Sequence, residues 1–158
     1  MRTLYIDTEF TQLSLDRRLI SLALVNAAGH EFYVELLDGW EAADCSEFVL
    51  EVVVPQLEPE RHGMTRAAAN RALHQFLRSQ GEVEIAGDAL AWDWPLLLEL
   101  LEPGGLPDNV QGCRALLDEQ GVLLSAEQVQ LLEAAPHHAL LDARLLCQVF
   151  EAKGKASR

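Results

Sequence analysis

Three strand-like runs crowd into the first 37 residues, and they constrain the fold more than anything else in the chain. Thr3-Leu4-Tyr5-Ile6 is β-branched and aromatic, Arg18 to Ala27 (RLISLALVNA) is a continuous apolar run, and Glu31 to Leu37 (EFYVELL) follows an Ala28-Gly29-His30 turn. Strands this close in sequence, joined by a tight turn, build an antiparallel meander.

Beyond residue 40 the rhythm changes. The pattern predicts a helix over Asp44–Val54, ended before Pro55, and a polar connection from Pro55 to Met64. Thr65 caps a helix to about Ser79 with Ala68, Ala72, Leu73, Phe76 and Leu77 on one stripe, and Gly81 ends it. Val83–Ala86 reads as a short strand, and Trp92–Leu101 as an apolar helix with Pro95 near its first turn, closed by Pro103-Gly104-Gly105. A short strand near Asn109–Gln111, helices near Arg114–Gln120 and Ser125–Ala134, and a last helix over Ala139–Ala152 complete the chain. A meander followed by alternating strands and helices is the signature of the α/β class, a mixed sheet flanked by helices. At 158 residues the expectation is one domain over residues 1–152, with 153–158 (KGKASR) as a flexible polar tail.

Composition narrows the function. Twelve Lys and Arg stand against 25 Asp and Glu, a formal charge of −13, which argues against a sequence-independent grip on long nucleic acid. It leaves open a short nucleic-acid end held at a metal site, because bound cations reverse the local field. The three cysteines, Cys45, Cys113 and Cys147, show no CxxC spacing, so free thiols in a reducing cytoplasm are expected rather than zinc sites or disulfides. No signal-peptide pattern and no apolar run of bilayer-spanning length is visible, so no membrane association is expected.

Three stretches place acids where a purely structural role does not call for them. Asp7 and Glu9 emerge from one face of the first strand, two residues apart, where like charges repel and burial is costly. A basic partner, solvent at the strand end or a divalent metal would answer that repulsion. Asp93 sits at the start of an apolar helix, where capping is the ordinary explanation, with Asp88 five residues before it. Asp142 lies in a leucine-rich helix, four residues after His138, where an i,i+4 contact would be ordinary.

Their joint order carries more than any one of them. "IDTEF" (Asp7, Glu9), "GDALAWD" (Asp93) and "HHALLDA" (His137, Asp142, with Ala139 and Ala143) resemble, in sequence, the three motifs of the DEDDh 3′-to-5′ exonucleases, which have a ribonuclease-H-like fold. The match runs from residue 7 to residue 143 and is most similar to the compact stand-alone bacterial 3′-to-5′ exoribonucleases. Two departures concern substrate contacts. Phe10 and Thr11 replace the small residues usual after the glutamate, and Asp88-Ala89 replaces a frequent His-Asn pair before the aromatic-Asp.

The resemblance implies a ribonuclease-H-like mixed sheet, antiparallel meander then parallel strands, with helices on its faces. It implies two Mg²⁺ or Mn²⁺ ions held by Asp7, Glu9, Asp93 and Asp142, with Asp88 a rival ligand to Asp93, and His137 as general base. Two such ions about 3.5–4 Å apart stabilise both the attacking and the leaving oxygen of a phosphodiester. Residues five apart on a helix are about 140° out of phase, so His137 must precede the helix that carries Asp142; His138 is its positional rival. Phe10, Thr11, Leu13 and Trp92 are candidate substrate contacts, although core packing is the ordinary role of such a tryptophan. The expected function is 3′-to-5′ hydrolysis of short single-stranded RNA by a cytoplasmic homodimer. The alternatives are a DNA exonuclease and a non-catalytic nucleic-acid-binding module.

Overall fold

The computed structural model describes residues 1–117 and 124–156. Six strands form one sheet: β1 (Arg2–Phe10), β2 (Leu19–Val25), β3 (Glu31–Leu36), β4 (Gly63–Met64), β5 (Val83–Gly87) and β6 (Val110–Ala115). Their spatial order is β4-β3-β2-β1-β5-β6. The β1–β2 and β2–β3 pairs are antiparallel, whereas β3–β4, β1–β5 and β5–β6 are parallel. The meander therefore continues into parallel strands across β1, the ribonuclease-H-like arrangement expected. The helices are α1 (Pro59–His62), α2 (Arg66–Arg78), α3 (Leu90–Leu101), α4 (Ala126–Glu133) and α5 (Ala139–Ala156).

Alternation divides the side chains of the central strands between two layers. Leu4 and Ile6 of β1, with Leu22 and Leu24 of β2, pack against Leu73 and Leu77 of α2 and Leu96, Leu97 and Leu100 of α3. Tyr5, Ala23 and Val25 point the other way, onto Ala139, Ala143 and Leu146 of α5. Every residue of β2 is buried, which explains its unbroken apolar run. At the β2–β3 turn the Asn26 side chain accepts from the N–H groups of Ala28 and His30, and Gly29 takes φ +89°. No helix among the described residues is long and apolar enough to cross a membrane.

Several boundaries differ from the sequence expectation. Residues 44–54 do not form one helix. A short helical turn at Ala42–Asp44 precedes a wide turn over Val49–Val53, in which the Val54 N–H donates to the Val49 carbonyl, and a tight turn over Val54–Gln56. The β-branched run and the missing N–H of Pro55 disfavour a regular ladder. The polar connection holds α1 and the two-residue edge strand β4. On α2 the buried alanine is Ala69, not Ala68. Arg114 lies in β6 instead of a helix: the open edge of β5 takes up the chain, and Arg114 Nε donates to Glu84 at 2.8 Å. Leu116 and Leu117 of that expected helix form a bend, and residues 118–120 fall outside the described residues. Ser125 caps α4 through a capping box with Gln128. α5 extends to Ala156, four residues beyond its expected end and into the stretch read as a tail.

Candidate active site

The C-terminal ends of β1 and β5 lie side by side, and three helices or loops bring acids over them. In the parallel register Tyr5 pairs with Ala86, so Asp7 on β1 and Asp88, the first residue past β5, each lie two residues further along the chain. Asp7 and Glu9 share the strand face of Tyr5, the face covered by α5, which carries Asp142. Asp93 enters from α3.

Asp93 is not a helix cap. Ala89 occupies that position, and the Asp93 N–H already donates to the Ala89 carbonyl at 3.0 Å. Its side chain is 1 % exposed and accepts a 2.6 Å hydrogen bond from the Thr8 hydroxyl on Oδ1. Thr8, which sequence reasoning missed, lies between the two acids of β1 and points to the opposite face. Gly87 allows close packing beneath the site: a Cβ there would lie 2.9 Å from Ile6 Cγ2 and 3.2 Å from Leu90 Cδ2.

The acids fall into two groups. One donor atom each from Asp7, Asp88 and Asp93 lies within 4.8 Å of the others, and the same holds for Glu9, His137 and Asp142. Asp7 Oδ2, Asp93 Oδ2 and Asp142 Oδ1 are buried and have no hydrogen-bond partner. Burial, then the charges of Asp93, Glu9, Asp142 and Asp88, push the Asp7 carboxyl well above the usual range. Glu9 is pushed up to about 8, chiefly by burial and next by the Asp142 charge. Burial likewise raises Asp93 to about 7 against the Thr8 hydrogen bond, and Asp142 to about 6 against the neighbouring His137. Orphaned buried oxygens on mutually repelling carboxylates are a donor set suited to hard divalent cations such as Mg²⁺ or Mn²⁺. The residues present fit such ions.

His137 precedes α5 in the left-handed conformation, φ +60°, rare for a residue with a side chain. Gln56 Nε2 donates to the Pro136 carbonyl at 2.7 Å, and Phe48 meets the His137 ring edge-on with centroids 5.0 Å apart. Nothing in the sequence flags Phe48, because the contact spans the fold. The rival, His138, has both ring nitrogens engaged: Nδ1 accepts from the Leu141 N–H and Nε2 faces the Tyr33 hydroxyl, each at 3.4 Å. The contact between His138 and Asp142 is the helical backbone bond from the Asp142 N–H to the His138 carbonyl, 2.8 Å.

Of the expected substrate contacts, Phe10 and Trp92 stack on each other, with centroids 5.4 Å apart and planes 17° from parallel, and both are partly exposed. Leu13 is 78 % exposed on the loop after β1. Thr11 is a correction. It is 0 % exposed, and its hydroxyl accepts from the Arg18 N–H at 2.9 Å, so it braces that loop instead of facing a ligand.

No known protein family matches the chain, and no curated protein does. Among solved structures, cell-death related nuclease 4 (CRN-4) superposes with a TM-score of 0.62 at 12 % sequence identity. That match covers 98 % of this chain and 64 % of the other, so this chain spans less than two thirds of the neighbour's length. At that identity the likeness shows a shared fold, an α/β fold of ribonuclease-H-like type.

Proposed function

We propose that this protein is a metal-dependent 3′-to-5′ exoribonuclease acting on short single strands. The observation that carries the reading is the convergence of Asp7, Glu9, Asp93, Asp142 and His137 at one end of the sheet, with three buried carboxylate oxygens left without partners. The description of the structural neighbour as a nuclease is consistent with it.

Divalent ions, when bound, supply the positive charge that a phosphodiester under attack requires. The four acids would hold them: β1 fixes Asp7 and Glu9, while α3 and α5 bring in Asp93 and Asp142. A ring nitrogen of His137 accepts the proton of the attacking water, a task suited to a group titrating near neutrality. The Phe48 edge restricts rotation of that ring. The Phe10–Trp92 stack offers an aromatic shelf to terminal bases, and Leu13 an apolar edge beside it. All three cysteines are free, as a reducing cytoplasm would leave them. RNA preference and a homodimer follow from the resemblance of the motifs.

A 5′-labelled single strand, offered as RNA and as DNA with Mg²⁺ or Mn²⁺, tests the reading. A ladder shortening from the 3′ end, faster on RNA and abolished by chelator and by Asp7→Ala, is expected. Equal or faster loss of DNA moves the substrate class. Intact strands under every condition overturn the enzymatic reading.

A further inference from the structure

We infer that Asp88 is a direct ligand of the second divalent ion, so that this ion is held by three protein carboxylates and binds before any nucleic acid arrives. The inference rests on reading the site as a divalent-metal centre, and it goes beyond the four acids of the motifs. Asp88 stands at a place where the chain departs from the pattern it resembles.

Topology puts Asp88 there. It is the first residue past β5, and the parallel register sets it beside Asp7. One oxygen each of Asp7, Asp88 and Asp93 falls within a sphere suited to one cation, apart from the Glu9, His137 and Asp142 group. Two independent features point into that space. Asp93 is 1 % exposed, with Oδ1 committed to Thr8 and Oδ2 unpartnered, and Asp7 Oδ2 is buried and unpartnered.

The ordinary role for Asp88 is a solvated acid near the N-terminus of α3, favoured by the helix dipole. That role accounts for Asp88 alone and leaves two buried carboxylate oxygens facing it without a partner. No ion pair among the described residues reaches any of the three acids. A hard divalent cation answers all three at once. A site supplying one carboxylate waits for substrate phosphate to complete its shell. A site supplying three does not.

Calorimetric titration of the metal-free full chain with Mn²⁺, without nucleic acid, tests this. Wild type should take up two ions. Asp88→Asn should keep one unchanged and weaken the other by about 100-fold or more, beyond the roughly 10–100-fold that loss of an outer-sphere partner costs. Asp108→Asn, which removes the same charge ahead of β6 at the other end of the sheet, should bind like wild type. An Asp88→Asn titration matching wild type overturns the inference, and so does equal weakening in Asp108→Asn, which would make the effect one of net charge. If wild type binds two ions yet cleaves no strand, the exonuclease reading fails while this one stands. If wild type takes up one ion or none without nucleic acid, this inference fails, and the exonuclease reading still rests on the cleavage assay.

Discussion

The Tyr33 hydroxyl donates to the Glu35 carboxylate while lying 3.4 Å from His138 Nε2. A phenol has one proton, so Nε2 must donate to Tyr33, which leaves Nδ1 as the lone pair that accepts the Leu141 N–H. Neutral His138 is thus the N-cap of α5, and burial, which lowers its pKa, favours that neutral form. Glu35, 2 % exposed, takes the Glu58 N–H on its other oxygen at 2.7 Å. The chain of bonds ties the first turn of α5, and with it Asp142, to β3. Replacing His138 with Ala, or Tyr33 with Phe, should lower stability by about 1 kcal/mol and reduce kcat with little change in KM. His138→Asn, which retains a capping group, should recover the helix and most of the activity. Denaturant unfolding and steady-state kinetics on one set of variants check this. A loss with His138→Ala as large as with His137→Ala would move the base to His138.

His137 itself is held at φ +60°, where a side chain costs about 1–2 kcal/mol relative to glycine. His137→Gly should therefore fold at least as stably as wild type, by up to roughly 1 kcal/mol after the Phe48 contact is lost. It should also lose about 10²–10⁴-fold in kcat. Stability and activity moving in opposite directions is the expected mark of a strained functional residue. A variant both inactive and clearly less stable would assign His137 to structure.

The meander, the Thr65 cap of α2 and the acids that the fold gathers at one end of the sheet were legible, because these depend on local periodicity and on the order of chemically unusual residues. Arg114 was not legible: its neighbours are good helix formers, and only the open edge of β5 makes the segment a strand. Thr8 and Gly87 are silent for a related reason. The bond from Thr8 to Asp93, and the close fit of Gly87 to Ile6 and Leu90, exist only once α3 is laid against β1. Thr11 was misread because its position after the motif suggested the site, whereas the bend between β1 and β2 turns its hydroxyl back to Arg18.

The Phe10–Trp92 pair predicts how substrate length should matter. Each ring face offers a base roughly 1–3 kcal/mol of stacking without regard to sequence. Trp92→Ala should raise KM for a short RNA by about tenfold, since about 1.4 kcal/mol corresponds to that factor. It should leave Mn²⁺ binding unchanged and kcat nearly so, because Trp92 is next to Asp93 in the chain but stacks on Phe10. Unchanged KM would leave the stack with a structural role alone, bracing Phe10 at the end of β1.

The raised carboxyls fix the sign of the pH dependence of the metal-free protein. Unfolded Asp and Glu titrate near pH 4, whereas Glu9, Asp93 and Asp142 titrate at about 8, 7 and 6 in the fold. Between those limits the folded chain binds more protons than the unfolded one, so stability falls as pH rises. The contribution is fully present below about pH 4 and lost by about pH 8. Tm of the chelated protein, taken relative to Asp7→Asn in the same buffers, should therefore decline across that window. Divalent metal requires the ionised carboxylates, so its binding should release protons and its stabilisation should grow over the same range. Mn²⁺ should then lift Tm far more at pH 8 than at pH 5. A metal-induced shift that is flat with pH, or equal in Asp7→Asn, would mean that the ions bind elsewhere and that these acids are kept apart by something other than a cation.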